Sequence, residues 1–108
     1  MDSKSTEIGL RNSLFSICVL FKNEVIGYGR VIGDGAIFFY LQDIMVSPGH
    51  QKKGVGRMIM SAIMDYLNTH AYKYTFVGLM AATGASGFYE KFGFSTRPTD
   101  RPGMFKEY

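Results

Sequence analysis

The sequence predicts an α/β fold on a mixed sheet, and three observations predict it. Residues 14–46 hold strand-length apolar runs separated by short polar or glycine-rich turns. Val55, Met58, Ile59, Ala62, Ile63, Tyr66 and Leu67 then recur at helical spacing. A further apolar run, Tyr74–Met80, is followed by a second short helical stretch, Ala85–Phe92. The order is an antiparallel meander, then β-α-β-α-β. The strands flanking the long helix should run parallel, joined by a crossover.

Residues 4–13 carry a weak signal for a short helix. Leu14–Phe21, rich in Leu, Phe, Ile and Val, reads as the first strand. Lys22-Asn23-Glu24 turns the chain into a second strand, Val25–Ile32, in which Gly27 and Gly29 thin one face. Gly33-Asp34-Gly35 is a strong turn signal before a long third strand, Ala36–Val46. Ser47-Pro48-Gly49-His50 breaks the pattern, and the long helix is expected over Val55–Thr69. Tyr74–Met80 is expected as a buried strand. Gly93 suits a left-handed cap for the second short helix. Phe94–Thr96 and Met104–Glu107 are expected to pair as final strands across Pro98–Gly103.

The 108 residues fit one domain spanning 1–108. With 46% hydrophobic and 19% charged residues, the chain has material for a packed core, which argues against disorder. No run reaches the about 18 apolar residues of a membrane span, and residues 1–7 lack a signal-peptide pattern. The single cysteine, Cys18, lies in an apolar run and is expected in the core. No Cys/His cluster suggests a metal site. These features fit a cytoplasmic protein that binds neither membrane nor metal. A net charge of +3 is too small to suggest nucleic-acid binding. Lys52, Lys53 and Arg57 cluster locally, which better suits a small anion.

That cluster lies in Val46-Ser47-Pro48-Gly49-His50-Gln51-Lys52-Lys53-Gly54-Val55-Gly56-Arg57, at the start of the long helix. A helix N-terminus exposes unpaired N–H groups and the positive end of its dipole, so phosphate binds there readily. Gly54 and Gly56 carry no side chain to keep a phosphate away. A P-loop would need Gly-Lys-Ser/Thr, but Val55 follows Gly54. A dinucleotide fingerprint would need a third glycine where Ile59 stands.

Gln51-Lys52-Lys53-Gly54-Val55-Gly56, approached through Val46-Ser47-Pro48, resembles the acetyl-CoA loop of the GNAT N-acetyltransferase superfamily. Phe88-Tyr89-Glu90-Lys91-Phe92-Gly93-Phe94 resembles that family's other hallmark, a short tyrosine-bearing helix closing on a Gly-Phe turn. The two occur in the family's order, and the resemblance covers roughly Ser13–Tyr108. It implies acetyl-CoA as co-substrate, held by Gln51, Lys52, Lys53, Gly54, Val55, Gly56 and Arg57, with backbone groups of Ile44, Met45 and Val46 along the pantetheine arm. It implies that Tyr89 protonates the departing thiolate. A phenol of pKa about 10 and a thiol of about 8.5 are close enough for that transfer.

The implied reaction is direct attack by a primary amine of a small molecule or peptide in a ternary complex. The amine must lose a proton first. Asp43, near the end of the central strand, is the leading candidate for general base. Tyr40, Glu90 and His50 rank below it, and His70 is expected on the surface. Arg30, Arg97 and Arg101 could line an acceptor pocket, although each alone reads as solvated. Where the family carries an asparagine bonding the CoA arm, this chain has Ala82 beside Thr83. It is also short at the N-terminus relative to the family pattern, in elements that wall the acceptor pocket. That shortness motivates an alternative, a non-catalytic acyl-CoA-binding module or subunit. It would also leave Leu14–Phe21 as a sheet edge, inviting a homodimer.

Overall fold

The computed structural model describes residues 2–108. Its elements run α1 (Ser3–Arg11), β1 (Phe15–Phe21), β2 (Glu24–Gly33), β3 (Phe38–Val46), α2 (Val55–His70), β4 (Phe76–Gly78) and α3 (Ser86–Glu90), with a single 3-10 turn at Pro48–His50. The sheet has the order β1-β2-β3-β4, antiparallel except for the parallel β3–β4 pair. This is the mixed-sheet α/β arrangement expected.

Asp2 caps α1 by accepting a hydrogen bond from Ser5 N at 2.9 Å, which satisfies one of the helix's free amides. Lys22 and Asn23 both take positive φ, 50° and 67°, and turn β1 into β2. Two such residues match the right-handed twist of a hairpin. At the next turn Asp34 Oδ1 accepts from the amides of Ala36, Ile37 and Phe38 at 2.8, 2.9 and 3.1 Å. These bonds hold the Asp34 carboxyl below its usual pKa.

The core lies between one face of the sheet and α2. Val55, Ile59, Ile63 and Leu67 form an i, i+4 stripe against Ile26, Val31, Phe39 and Leu41. Gly27 and Gly29 make the approach close: a Cβ at either would stand 2.7 Å from a methyl of Val55 or Ile59 respectively. The helix runs directly over β2 where those side chains are missing. Met58, expected on the core face, is 58% exposed, whereas Met60 is fully buried.

Several expectations are corrected. Cys18 is exposed. Only one face of β1 meets α2, so Phe15, Ile17 and Val19 pack against the core and Cys18 points away. β4 has three residues and is not fully buried; Phe76 is 45% exposed. The expected final strands do not form: residues 94–108 have no ladder partner and lie largely exposed. Pro98 and Pro102 have no amide to donate there. Gly93 does take the left-handed conformation expected of it, at φ 93°.

β3 and β4 pair only at Phe38↔Phe76, Phe39↔Val77 and Tyr40↔Gly78. Beyond Tyr40, the β4-facing edge of β3 has no ladder partner among the described residues. On its other edge, Tyr28 pairs with Met45 and Arg30 with Gln42, so Asp43 and Ile44 together oppose Gly29. This is a β-bulge, a device that bends a strand and re-aims its groups. Asp43 sits in it at φ 58°. The left-handed region costs a non-glycine residue about 1–3 kcal/mol and persists only where the surroundings impose it.

Candidate active site

The loop from Val46 to Arg57 joins the bulged strand to α2. Ser47 N donates to Ile26 O at 2.8 Å, and His50 N closes the 3-10 turn on Ser47 O at 2.8 Å. Gln51 Nε2 donates back to Val46 O at 3.2 Å, so this side chain braces the loop against the end of β3. Lys52 and Gly54 both take positive φ, 63° and 85°, curving the chain into α2. Gly54 O accepts from Met58 N at 3.1 Å. The amides of Val55, Gly56 and Arg57, at the helix start, make no backbone hydrogen bond among the described residues.

The two glycines serve different ends. A Cβ on Gly54 would meet nothing within 4 Å, so open space lies over the exposed loop. A Cβ on Gly56 would lie 3.3 Å from Phe88 Cζ and 4.0 Å from Val46 Cγ2. Gly56 is therefore small because α3 packs over it. Val55 is 7% exposed, a core side chain that can offer only its amide to a ligand. Lys52, Lys53 and Arg57 are exposed around the opening. An anionic diphosphate fits this surface: free space, unpaired amides, a helix dipole and three cations.

Phe88 carries α3 to this place. Tyr89 follows it, ring centroids 5.2 Å apart and edge-on, with Phe94 on its other side at 6.3 Å. Partial burial among these rings raises the Tyr89 phenol above its ordinary pKa. The group therefore stays protonated at neutral pH.

Asp43 has a partner that the sequence did not reveal. Arg30 Nε donates to Asp43 Oδ2 at 2.7 Å, with the arginine side chain only 14% exposed. Gln42 Nε2 lies 3.4 Å from Oδ1. The pair borders a cleft of about 260 Å³ between α1 and the sheet, lined by Ser5, Thr6, Gly9, Leu10, Arg30, Gln42 and Asp43. Of the three arginines weighed as pocket-lining or solvated, Arg30 does line a cleft; the signal for it is its place at mid-strand, two residues from Tyr28 on the same face.

The remaining candidates scatter. Tyr40, at the fork of β3 and β4, has a buried hydroxyl without a hydrogen-bond partner among the described residues. His50 tilts against Phe21 at 5.4 Å with its Nδ1 buried. His70 stacks on Tyr66 at 4.2 Å at the exposed end of α2. Glu90 is exposed. Arg97 is exposed and bonds Arg101 O at 2.9 Å, and Arg101 is 70% exposed. No group of three or more potential metal ligands occurs among the described residues. None of their helices is long and apolar enough to cross a membrane.

Comparison with known proteins bears on the family and the fold. The family profile described as "Acetyltransferase (GNAT) domain" matches residues 13–96. A Staphylococcus aureus protein of unknown function, described as a probable acetyltransferase, superimposes with TM-score 0.94 at 37% identity, over 100% of this chain and 81% of that one. A GNAT family acetyltransferase from Elizabethkingia anophelis with acetyl-CoA bound shares the fold at TM-score 0.71 and 17% identity, over 90% of this chain and 63% of that one. The uncharacterized N-acetyltransferase ycf52 of Porphyra purpurea is 26% identical over 94% of this chain and 60% of its own length. This chain thus spans about 60% of the length of such curated relatives. It belongs to the GNAT acetyltransferase family.

Proposed function

We propose that the chain is an acetyl-CoA-dependent N-acetyltransferase acting on a primary amine of a small molecule or peptide, by direct attack in a ternary complex. The observation that carries this reading is the helix start at Gly54, open to solvent and packed through Gly56 against the helix bearing Tyr89. The loop amides of residues 52–57 and the cations Lys52, Lys53 and Arg57 would hold the diphosphate. Gln51 would keep the loop in place by its bond to Val46 O. The unpaired edge of Ile44, Met45 and Val46 would offer backbone groups to the pantetheine arm, and the fork between β3 and β4 would admit it.

Acetyl-CoA supplies the activated acyl group. The acceptor amine enters the cleft beside Asp43, whose carboxylate orients it while water carries off its extra proton. A new carbon–nitrogen bond forms as the carbon–sulfur bond breaks, Tyr89 gives its proton to the departing sulfur, and the proton that the newly bonded nitrogen sheds returns through water to the Tyr89 oxygen. Ala82 offers no side-chain bond to the arm, so backbone contacts carry it. β1 lies at the sheet edge and could serve a homodimer.

The engagement of Asp43 by Arg30 favours a second reading, a non-catalytic acyl-CoA-binding module, because no free carboxylate is then poised as base. Release of free thiol from acetyl-CoA, measured across a broad panel of amines, separates the two. Turnover with any amine supports the enzyme. Coenzyme A binding in calorimetry without turnover on any amine supports the module.

A further inference from the structure

One guanidinium joins two elements that the sequence keeps apart. Arg30 Nε reaches Asp43 Oδ2 on the bulge at 2.7 Å. Its Nη1 donates to Gly9 O in the last turn of α1 at 3.1 Å and to Ser13 Oγ just beyond the helix at 3.2 Å. The last carbonyls of a helix lack intrahelical partners and carry the negative end of its dipole. Arg30 thus adds a donor from the sheet to a carbonyl at the C-terminal end of α1 that also accepts from Asn12 N at 3.2 Å. The same group balances the carboxylate of Asp43, held at φ 58° where the bulge interrupts the β2–β3 ladder.

Both ends border one space. The cleft has Ser5, Thr6, Gly9 and Leu10 of α1 on one side and Gln42 and Asp43 of β3 on the other, with Arg30 between. Immediately after Asp43 come Ile44, Met45 and Val46. A planar guanidinium fixes the angle and spacing of its donors. Moving either wall breaks bonds to the other.

We propose that Arg30 is a positioning residue that couples α1 to the β-bulge, so that the cleft wall and the strand segment facing the thioester keep one spacing. This deepens the acyl-transfer reading and rests on it for the kinetic half of its test. Lysine keeps the charge but has a single terminal nitrogen. It cannot bond Asp43 and the end of α1 with the same spacing.

The test uses the full chain as wild type, Arg30→Gln, Arg30→Lys and Ser13→Ala. Arg11→Gln, which removes only an exposed pair with Glu7, is the control. Amide hydrogen exchange is followed by mass spectrometry, and coenzyme A affinity by calorimetry. In Arg30→Gln, exchange should rise about tenfold in residues 3–11 and 42–46 together, while α2 changes by less than about twofold. Arg30→Lys should leave at least one of the two segments fast. Ser13→Ala should quicken 42–46 although Ser13 lies outside β3, and it decides the matter if Arg30→Gln does not fold. Coenzyme A affinity should hold within about threefold, and thiol release with an active amine should lose about tenfold, mainly through acceptor KM. A rise confined to one segment, an equal rise across α2, or wild-type exchange and kinetics in Arg30→Lys would overturn the coupling. If the wild type turns over no amine, the acyl-transfer reading fails. The exchange data then decide the coupling alone.

Discussion

The edge of the Phe88 ring occupies the space into which a side chain on Gly56 would grow: a Cβ there would lie 3.3 Å from Phe88 Cζ. Two segments far apart in sequence therefore meet at the first turn of α2. Gly56→Ala should push α3 outward, and Tyr89 with it. The cost in stability should be about 1 kcal/mol, the lower end for overpacking. Thiol release should fall several-fold more than coenzyme A affinity. A variant with wild-type turnover and unfolding midpoint would show that α3 yields freely at this contact.

Gly54 gives the opposite case, since space lies open above it but its φ is 85°. Gly54→Ala should cost about 1 kcal/mol of stability from backbone strain alone. Gly54→Asp adds a negative charge beside the amides at the helix start. It should weaken coenzyme A binding about tenfold or more beyond the alanine variant. Calorimetry on both variants checks this. Equal affinities would place the diphosphate elsewhere.

The loop and helix start of the candidate site are legible because their pattern is local in sequence. Glycines at a helix start, preceded by two lysines, read directly from Gln51–Arg57, and the helix Val55–His70 begins where its apolar pattern begins. Two facts were hidden because they depend on packing. The packing of Phe88 over Gly56, a second constraint on that glycine, has no mark in the sequence. Arg30 and Asp43 are separated by a hairpin, and the bulge that brings them together has no sequence mark of its own. The tail departs from its expected strands for a related reason. Apolar residues such as Met104 and Phe105 suggest a strand, but a strand needs a neighbouring edge to pair with.

Gly29 should tolerate no side chain. Its added Cβ would stand 2.7 Å from Ile59 Cγ2 and 3.3 Å from Ile63 Cδ1, both on fully buried residues. Gly29→Ala should destabilise the fold by about 1–3 kcal/mol. Denaturant unfolding would read this as a lower midpoint at unchanged slope. Ile59→Val should recover part of the loss in the double variant, because it opens room at the same contact.

The Asp34 carboxyl is held below its ordinary pKa by the amides of Ala36, Phe38 and Ile37. A depressed folded-state pKa contributes stability above the unfolded value and loses it as pH falls through the folded one. Asp34→Asn keeps an acceptor but drops the charge. Its unfolding midpoint should lie below that of wild type at pH 7. The gap should close as the pH is lowered below about 4, where carboxyls protonate. A gap constant with pH would assign the effect to geometry rather than charge.

Tyr89 carries the chemical prediction. Burial raises its pKa above that of an ordinary phenol, so it remains a donor through neutral and mildly alkaline pH. Tyr89→Phe keeps the ring against Phe88 and Phe94 and removes only the hydroxyl. Coenzyme A affinity should stay within about threefold, while turnover falls about 10²-fold, the lower end for loss of a general acid. In the wild type, an alkaline loss of turnover due to this group should fall above about pH 10, the ordinary phenol value, and be absent from the variant. Wild-type turnover in Tyr89→Phe would leave the tyrosine a packing residue and require another donor for the departing sulfur.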